Sequence, residues 1–591
     1  MSTHRLTLPA LAVCLTSMLT ACGGGSSSAN NAPPQDTPVA GMAIGSGANA
    51  VADPALPRPP GTPCVAQLYQ NLNFSGFSSQ SFSYQPACSG PYSKIVLEAD
   101  YAVTAGRQFD RTTHISLGGV NLLTGTTQEP SKSVAPVWHV ERDLTEYAPL
   151  FAKAQTGYVD LDTIVDGTYN GQPSGSARLL FYPVSASAGA GNSANYVYPF
   201  TSGANGRPAN LNNSSSTLSQ TISFPTNVVR AYLDVIAQSQ SNDEFWYTCA
   251  PDNLANSLQT CGSTAFRETQ ISIDSVPAGV APVYPWIYTG GMDPGLWRNI
   301  PAVQALNLLP YRVDLSPFAG KLSDGQPHTV SITVQNANSY FSVLGTLFVY
   351  TDPYRSNVSG AIIANTLAAP AAPVISNQLS FDSSGTASGT LGTTSARQFQ
   401  VSGIVNSSRG QETITVTQTM NFSNAQTFTA TSQNIVQNTS VQTATQIATP
   451  GRQLTLQRTS SYPLQLNFTQ DSNGNWKTTA SQEIVVNNKL ADDRGTLFAA
   501  TMDNLVNSSS YAPAPAPSVR LASQTFSYND SLGSCYLHKL SSQNLLLTSA
   551  IDAAACGGAG SIARMPWKVD PQGGTGFLGP IGFSFDFSGN G

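Results

Sequence analysis

Short runs in which apolar and polar residues alternate recur along this chain, and residues that favour turns separate them. Arg178–Tyr182, Val229–Val235 and Thr329–Val334 are examples. Alternation with a period of two places every second side chain on one face of a strand, whereas no long segment has helical periodicity with caps at both ends. The pattern predicts an all-β protein built from sandwich-like domains.

The strand-like runs fall into three regions, 63–190, 196–356 and 370–591, which we predict to be separate β-rich domains. A stretch of small residues separates the first two regions, and the third changes to a pattern rich in Thr, Ser, Gln and Asn. Within the third region, Asn473-Gly474 is a turn pair typical of a β-hairpin.

The N-terminus predicts export. Arg5 precedes an apolar run, Leu6–Leu19, which is too short to span a membrane and ends in small residues before Cys22. Residues 1–21 are therefore predicted to be a signal peptide. Cys22 matches the lipobox of bacterial lipoproteins, which predicts a lipid anchor that holds the protein to the membrane of the cell envelope; the alternative is an ordinary cleaved signal with an incidental cysteine. Residues 22–62, rich in Gly, Ser and Pro, are predicted to be a flexible tether.

Six further cysteines form three pairs that are local in sequence, which suits disulfides in an oxidising compartment. Six cysteines allow 15 pairings; we predict the local one: Cys64 with Cys88, Cys249 with Cys261, and Cys535 with Cys556. Zinc binding is the alternative, but the chain has no C-x-x-C motif and its histidines are scattered. We therefore expect neither a metal nor a cofactor.

Charged residues make up only 10% of the chain and the formal net charge is −6. The chain therefore lacks the basic patch that nucleic-acid binding requires, and we expect no nucleic-acid partner. A protein with few ionisable groups changes its net charge little as the pH falls, which suits acidic surroundings.

Two phrases place an acidic residue beside aromatic and basic neighbours in this charge-poor chain. Gly106–Arg111 contains Asp110, and Ser241–Cys249 contains Glu244. Two carboxyl groups can divide the activation of water and the protonation of a leaving group, so this pair is a candidate catalytic site. The alternative for Asp110 is a surface ion pair with Arg111 on a turn.

Seven phrases, in order along residues 60 to 355, resemble the amidase A type of peptide:N-glycanase. They are Gly106–Arg111, Leu117–Val120, Glu129-Pro130, Trp138–Asp143, Ser241–Tyr247, Phe266–Glu268, and Tyr288–Gly291 with Leu296–Arg298. The resemblance implies two adjacent antiparallel jelly-roll sandwiches with the active site between them, followed by a β-rich C-terminal domain. It further implies a substrate of N-glycosylated peptides, cleaved at the amide that joins the first N-acetylglucosamine to asparagine, with aspartate as the peptide product.

The resemblance also implies roles for individual residues. Asp110 and Glu244 match the family's catalytic aspartate and essential glutamate, so we expect Asp110 to activate water and Glu244 to position the water or the first sugar. A third acid of the family falls near Asp162, where the residue type differs. Arg107 or Arg111 is expected to keep Asp110 ionised at low pH, because a nearby cation lowers the pKa of a carboxyl group.

The remaining candidates for substrate binding lie inside or beside the matched phrases. Tryptophans can stack on sugar faces, although core packing is their more common fate. The acidic candidates either line the cleft or sit at solvated strand ends. These candidates are Trp246, Trp286, Trp297, Glu129, Asp243 and Glu268.

Two other functional classes stay open at this point. One is a carbohydrate-binding surface lipoprotein without enzymatic activity, because a fold does not fix a function. The other is a glycosidase, which also uses two carboxyl groups but cuts between sugars. In every case we expect a monomer.

Overall fold

The computed structural model describes residues 37–38 and 42–556, apart from positions 57, 186–188, 294, 371, 514, 532, 534 and 554–555. The predicted signal peptide, Cys22, the first part of the predicted tether and residues 557–591 lie outside the described residues. The described part consists mainly of strands, beginning with β1 (Thr37–Pro38), which confirms the all-β prediction. No helix in this part is long and apolar enough to cross a membrane.

The first sandwich has two four-stranded antiparallel sheets, with strand orders β2-β9-β4-β7 and β3-β8-β5-β6. Its own hydrophobic core lies between them and includes Ile95, Leu117 and Phe181. The chain crosses repeatedly between the sheets, which is compatible with the predicted jelly roll. The strands are β2 (Cys64–Asn73), β3 (Gln80–Tyr84), β4 (Tyr92–Val103), β5 (Thr112–Leu117), β6 (Val120–Thr126), β7 (Val137–Asp143), β8 (Gln155–Leu161) and β9 (Pro173–Pro183).

The second sandwich has a sheet in the order β10-β18-β13-β16, with β11 also paired to β18, and a second sheet in the order β12-β17-β14-β15. It carries two short helices, α1 (Asp252–Leu258) and α2 (Ala319–Leu322). The strands are β10 (Tyr196–Phe200), β11 (Ala209–Leu211), β12 (Leu218–Ser223), β13 (Val228–Gln240), β14 (Glu268–Ile273), β15 (Val276–Pro282), β16 (Tyr311–Asp314), β17 (Pro327–Gln335) and β18 (Tyr340–Thr351). Short 3₁₀ helices in the two sandwiches span Thr145–Ala152, Ser241–Asp243, Trp246–Thr248 and Ser316–Phe318.

Twelve strands of the third region, together with β1, form one large antiparallel sheet of 13 strands. Its order is β1-β30-β29-β28-β27-β26-β24-β23-β22-β21-β19, with β20 paired to β21 and β25 paired to β23 and β26. The third region begins at residue 359 and not at the predicted 370, because β19 pairs with β21. The strands are β19 (Ser359–Asn365), β20 (Val374–Phe381), β21 (Ala387–Ser407), β22 (Gly410–Thr429), β23 (Ser432–Thr449), β24 (Arg452–Ser461), β25 (Leu464–Gln470), β26 (Trp476–Asp492), β27 (Gly495–Tyr511), β28 (Val519–Asp530), β29 (Cys535–Gln543) and β30 (Leu546–Asp552). Asn473-Gly474 lies in the turn between β25 and β26, as predicted.

One face of the large sheet packs on the second sandwich. In β27, for example, Phe498, Met502 and Val506 alternate with more exposed residues, so one face is buried. The buried side chains of the sheet and of the second sandwich form one continuous hydrophobic core. The third region is thus fused to the second sandwich.

Residues 42–56, the strap, are packed and hydrogen-bonded, although the sequence predicts them to be part of a tether. The backbone N–H of Gly45 donates to Leu547, and that of Ala52 donates to Gln524. At the other end, the N–H of Leu56 donates to the carboxylate of Glu141 in the first sandwich. Small residues let the strap lie close to its neighbours, and hydrogen bonds replace the apolar surface that it lacks.

All three predicted disulfides are present. They join Cys64 to Cys88, Cys249 to Cys261, and Cys535 to Cys556. Each joins residues close in sequence, so each fixes a local loop and none links two domains.

Candidate active site

Asp110 lies immediately before β5, at the edge of the first sandwich that faces the second. Strands β5 and β6 form a hairpin around Gly118-Gly119, whose φ angles of 56° and 84° suit a tight two-residue turn. Pairing continues past the strands, because the N–H of Thr127 donates to the carbonyl of Arg111 over 2.8 Å. The start of β5 and the end of β6 therefore meet, which brings Asp110 beside the segment that contains Glu129.

Glu244 is presented by a turn that follows β13 of the second sandwich. Ser241 has a φ of 55° and opens a short 3₁₀ turn, after which the N–H of Glu244 donates to the carbonyl of Ser241 over 3.1 Å. Asp243 fixes this turn from below. Its carboxylate binds Arg267 at 2.7 Å and accepts hydrogen bonds from the N–H groups of Asn338 and Ser339.

The structure brings Asp110 and Glu244 together across the boundary between the two sandwiches. Burial raises the pKa of Asp110 to about 6, although Arg111 and hydrogen bonds from the backbone amides of Asp110 and Gly290 oppose this. Burial, followed by the charge of Asp110, raises the pKa of Glu244 to about 7. The expectation that an arginine keeps Asp110 ionised at low pH is thus wrong, because desolvation outweighs the nearby guanidinium.

A third carboxyl group, that of Glu129, lies at the same place. Its Oε1 accepts a hydrogen bond from Arg298 of the second sandwich at 3.0 Å. Burial raises its pKa, Arg298 opposes that shift, and the charge of Asp110 adds to it. Glu129 is 7% exposed and belongs to the cleft, not to a solvated strand end.

An exposed group of aromatic and cationic side chains flanks Asp110. The rings of Phe109 and Tyr169 lie 5.5 Å apart, and the guanidinium of Arg107 lies 5.2 Å from the ring of Tyr169. The guanidinium of Arg111 lies 5.4 Å from the ring of Phe109 on its other side. Phe109, at 38% exposed, offers a free ring edge beside the acid. Sequence reasoning missed Phe109 and Tyr169; Phe109 adjoins Asp110, but nothing in the sequence marks Tyr169.

The three predicted tryptophan contacts are corrected by their burial. Trp246 and Trp297 are 0% exposed and Trp286 is 3% exposed, so none offers a face to a sugar. Trp246 packs near Phe422 of the large sheet, and the indole N–H of Trp297 donates to the carbonyl of Gly291 over 3.0 Å. Trp246 and Trp297 are close in sequence to Glu244 and Gly290 because they pack below those residues and support them.

Three predicted acidic contacts also have other partners. Asp243 is fully buried against Arg267, and Glu268 binds Arg397 of the large sheet at 3.0 Å. Asp162 forms an ion pair with Arg207, a residue of the second sandwich. Burial raises the pKa of Asp162, and Arg207 opposes this shift. These three carboxylates hold elements together, so we do not assign them to substrate.

The histidines near the matched phrases are not at the site. His114 is buried against Thr124, and burial lowers its pKa to about 3. His139 is bonded to Glu141 and Asp100, which raise its pKa to about 9. In the described residues, the one group that has metal-ligand spacing is Glu98, His139 and Glu141. Arg58 binds both glutamates and Arg178 binds Glu98, so cations of the protein already neutralise that group.

The geometry suits acid–base catalysis of hydrolysis. Asp110 and Glu244 are both partly exposed. Asp110 has the lower pKa of the two, so in weakly acidic solution it can be ionised while Glu244 is still protonated. A carboxylate can take a proton from water, and a carboxylic acid can give one to a leaving group.

Comparisons with known proteins place the sequence of this chain beside one family. The family model described as peptide N-acetyl-β-D-glucosaminyl asparaginase amidase A matches residues 65–368. The peptide-N4-(N-acetyl-β-glucosaminyl)asparagine amidase A of Prunus dulcis is 32% identical over 364 residues, which cover 58% of this chain and 62% of the almond protein. The chain therefore spans less than two thirds of that relative.

Two solved structures are also similar in part. The glycosylasparaginase PNGase F of Flavobacterium meningosepticum is 10% identical, with a TM-score of 0.32, over 49% of this chain and 96% of its own. The structure of PNGF-II is 12% identical, with a TM-score of 0.34, over 49% of this chain and 66% of its own.

Proposed function

This chain belongs to the peptide N-acetyl-β-D-glucosaminyl asparaginase amidase A family, and on that premise we propose that it is an N-glycan amidase. It hydrolyses the amide between the innermost N-acetylglucosamine of an N-glycan and asparagine. The peptide keeps an aspartate and the intact glycan leaves as a glycosylamine. The observation that carries this proposal is the meeting of Asp110 and Glu244 between the two sandwiches, with the lower pKa on Asp110.

In the proposed reaction, ionised Asp110 takes a proton from a water molecule as its oxygen attacks the amide carbon. Protonated Glu244 gives its proton to the amide nitrogen, and the carbon–nitrogen bond breaks. The two proton transfers leave Asp110 protonated and Glu244 ionised, and exchange with solvent restores both. This assignment gives Glu244 the role of acid, where the sequence suggests positioning of the water or the sugar.

The group of Phe109, Tyr169 and Arg107 beside Asp110, in which the two rings are tilted by 56° to each other, supports a role in holding the first sugar. Aromatic rings present flat apolar faces that suit the C–H faces of sugars. Phe109→Ala is therefore expected to raise KM more than it lowers kcat, because the ring is not part of proton transfer.

Product analysis tests the proposed function against its alternatives. The purified protein is incubated with a defined N-glycopeptide in water enriched in ¹⁸O, and the masses of the peptide and sugar products are measured by mass spectrometry. An amidase leaves aspartate that carries one heavy oxygen. A glycosidase leaves N-acetylglucosamine on asparagine, and a carbohydrate-binding protein leaves the substrate intact, so either result contradicts the proposal.

We propose further that the protein is exported as a monomeric lipoprotein anchored through Cys22 to the cell envelope. The lipobox-like Leu19–Cys22 supports the anchor. Cys22→Ala is expected to release the active protein from the membrane fraction. Retention of the variant in that fraction would contradict the anchor.

A further inference from the structure

Glu129 uses only one of its two carboxylate oxygens. Oε1 accepts the hydrogen bond from Arg298, whereas Oε2 is buried and has no hydrogen-bond partner within the described residues. The residue is only 7% exposed. A buried carboxylate oxygen without a donor is costly, so this atom calls for a ligand that the protein alone does not supply.

Gly290 shows where Oε2 is directed. A Cβ atom added to Gly290 would lie 2.5 Å from Oε2 of Glu129 and 2.5 Å from Oδ1 of Asp110. The two oxygens are therefore no further apart than twice that distance, and they flank one point. Because Gly290 has no side chain, the two carboxyl groups can approach each other there.

Two acceptors at such a separation suit one small molecule with two donors. A water molecule has two O–H groups, and each can donate to an acceptor at about 2.5 to 3.0 Å. The upper limit on the separation of the two oxygens, twice 2.5 Å, is compatible with one bridging water.

We propose that Glu129 positions the attacking water, which donates one hydrogen to Asp110 Oδ1 and the other to Glu129 Oε2. This inference rests on the proposed amidase function. The hydrogen bonded to Asp110 leaves as the proton, while the one bonded to Glu129 stays on the oxygen that joins the amide carbon. Glu129 neither gains nor loses a proton. When both hydrogens are held, a lone pair of the water oxygen is directed toward the amide carbon. Positioning of this kind accelerates the attack.

The groups that face Glu129 are consistent with this role. Arg298 and Arg111 favour its ionised form, whereas burial and Asp110 favour the protonated form. Arg298 comes from the second sandwich and Glu129 from the first, so the oxygen is in place only when the two sandwiches are docked. Asp162, which the family resemblance suggests as the third acid, is held by Arg207 instead.

Glu129→Gln tests the inference on the full-length protein with a glycopeptide substrate. The amide oxygen is expected to face Arg298, which turns the NH₂ group toward Asp110. The variant should lose roughly 100-fold in kcat with little change in KM, because the water loses its second acceptor. The acidic limb of its pH profile should move to lower pH, since a new donor stabilises ionised Asp110. Glu129→Asp should recover part of the rate.

Gly290→Ala is an independent test that leaves all three acids in place. The residue does not have a positive φ, so the added methyl group strains no backbone but intrudes between Asp110 and Glu129. Its kcat should fall as in Glu129→Gln. Gly76→Ala is the matched control, because a Cβ there meets no atom within 4 Å, and its activity should equal that of the wild type.

A purely structural role for Glu129 predicts a different pattern. If Glu129 only joins the two sandwiches, Glu129→Gln should resemble Asn307→Ala, which removes one of the two acceptors of Arg142 across the same boundary. Both would lower the Tm and leave the pH profile of the remaining activity unchanged, and that result would overturn the inference. An inactive wild-type protein would instead contradict the amidase proposal itself.

Discussion

The second sandwich has two boundaries of opposite character. Toward the large sheet it shares one hydrophobic core, in which Phe422 packs against Phe266 with ring centres 5.2 Å apart. Toward the first sandwich, polar contacts accompany a smaller apolar one: Arg312 binds Glu146 at 2.7 Å and Arg142 donates to the carbonyl of Leu308 at 3.0 Å, while Leu306 and Phe348 pack into the core of the first sandwich. The other buried residues of that core, apart from Ala194, belong to the first sandwich.

The difference separates two tasks. An apolar boundary is stabilised by removing surface from water, and it leaves no room for a polar substrate. A boundary that includes hydrogen bonds and ion pairs can accommodate a polar substrate, and the candidate acids lie at this boundary. The large sheet stabilises the half of the site that carries Glu244, whereas the first sandwich supplies Asp110 and Glu129.

Removal of the large sheet should have the largest effect on this comparison. A chain that ends at residue 356 would expose the apolar face of the second sandwich around Trp246 and Phe266. We expect it to aggregate or to remain unfolded. Residues 58–183 alone should unfold cooperatively in circular dichroism, because all the buried residues of their core except Ala194, Leu306 and Phe348 lie within that range. A soluble and folded 42–356 fragment would contradict the shared core.

Asp110→Asn should separate activity from stability at the polar boundary. The amide is nearly isosteric but cannot accept the proton, so turnover should fall by roughly 10² to 10⁴-fold. The Tm should stay the same or rise, since a buried charge is removed. Glu244→Gln should also lose activity strongly. Near wild-type rates in either variant would contradict the two-carboxyl mechanism.

The dependence of the rate on pH should reflect the ionisation of the same two carboxyl groups, Asp110 and Glu244. The rate should rise as Asp110 ionises through its pKa of about 6 and fall as Glu244 ionises through its pKa of about 7. The maximum is therefore expected in weakly acidic solution. Each limb should change about tenfold per pH unit well away from the maximum. A rate that climbs steadily to pH 8 on a glycopeptide would contradict this assignment of roles.

Phe422→Ala compares the two boundaries in free energy. The cavity it leaves should lower the free energy of unfolding by about 3–5 kcal/mol. Asn307→Ala at the polar boundary removes one hydrogen-bond acceptor and should cost about 1 kcal/mol. Denaturant titration measures both, and equal losses would remove the distinction between the boundaries.

The Cys249–Cys261 disulfide closes the loop that follows Glu244, so it should affect stability and activity together. Replacing both cysteines by serine should cost about 3 kcal/mol through loop entropy. Activity at a temperature where the variant is still folded should fall as well, because the guanidinium of Arg267, the partner of Asp243, also donates to Cys249 Sγ of the disulfide. Unchanged activity at that temperature would show that the disulfide is not needed to hold the loop in its active position.

Local patterns predicted much of this structure, and non-local pairing explains the failures. Alternation gave the strands, and sequence-local spacing gave the disulfides. The Gly118-Gly119 turn also contained the information that places Glu129 beside Asp110, because a hairpin centred there pairs the residues on either side. The burial of individual side chains could not be predicted from local patterns. Trp246 and Trp297 occur in phrases that belong to the site, yet they are buried by partners that lie more than a hundred residues away in sequence or behind the site.

The strap has a consequence for how the molecule assembles. Strand β1 pairs with β30, and the hydroxyl of Tyr536 donates to the carbonyl of Ala52, so the two ends of the described chain meet. Contacts that close such long loops form late in folding, because the chain must lose conformational entropy before these contacts can stabilise the structure. The first sandwich can fold while the rest of the polypeptide is still emerging. The strap must wait for the last strands, so its docking should mark the slow, final step of maturation.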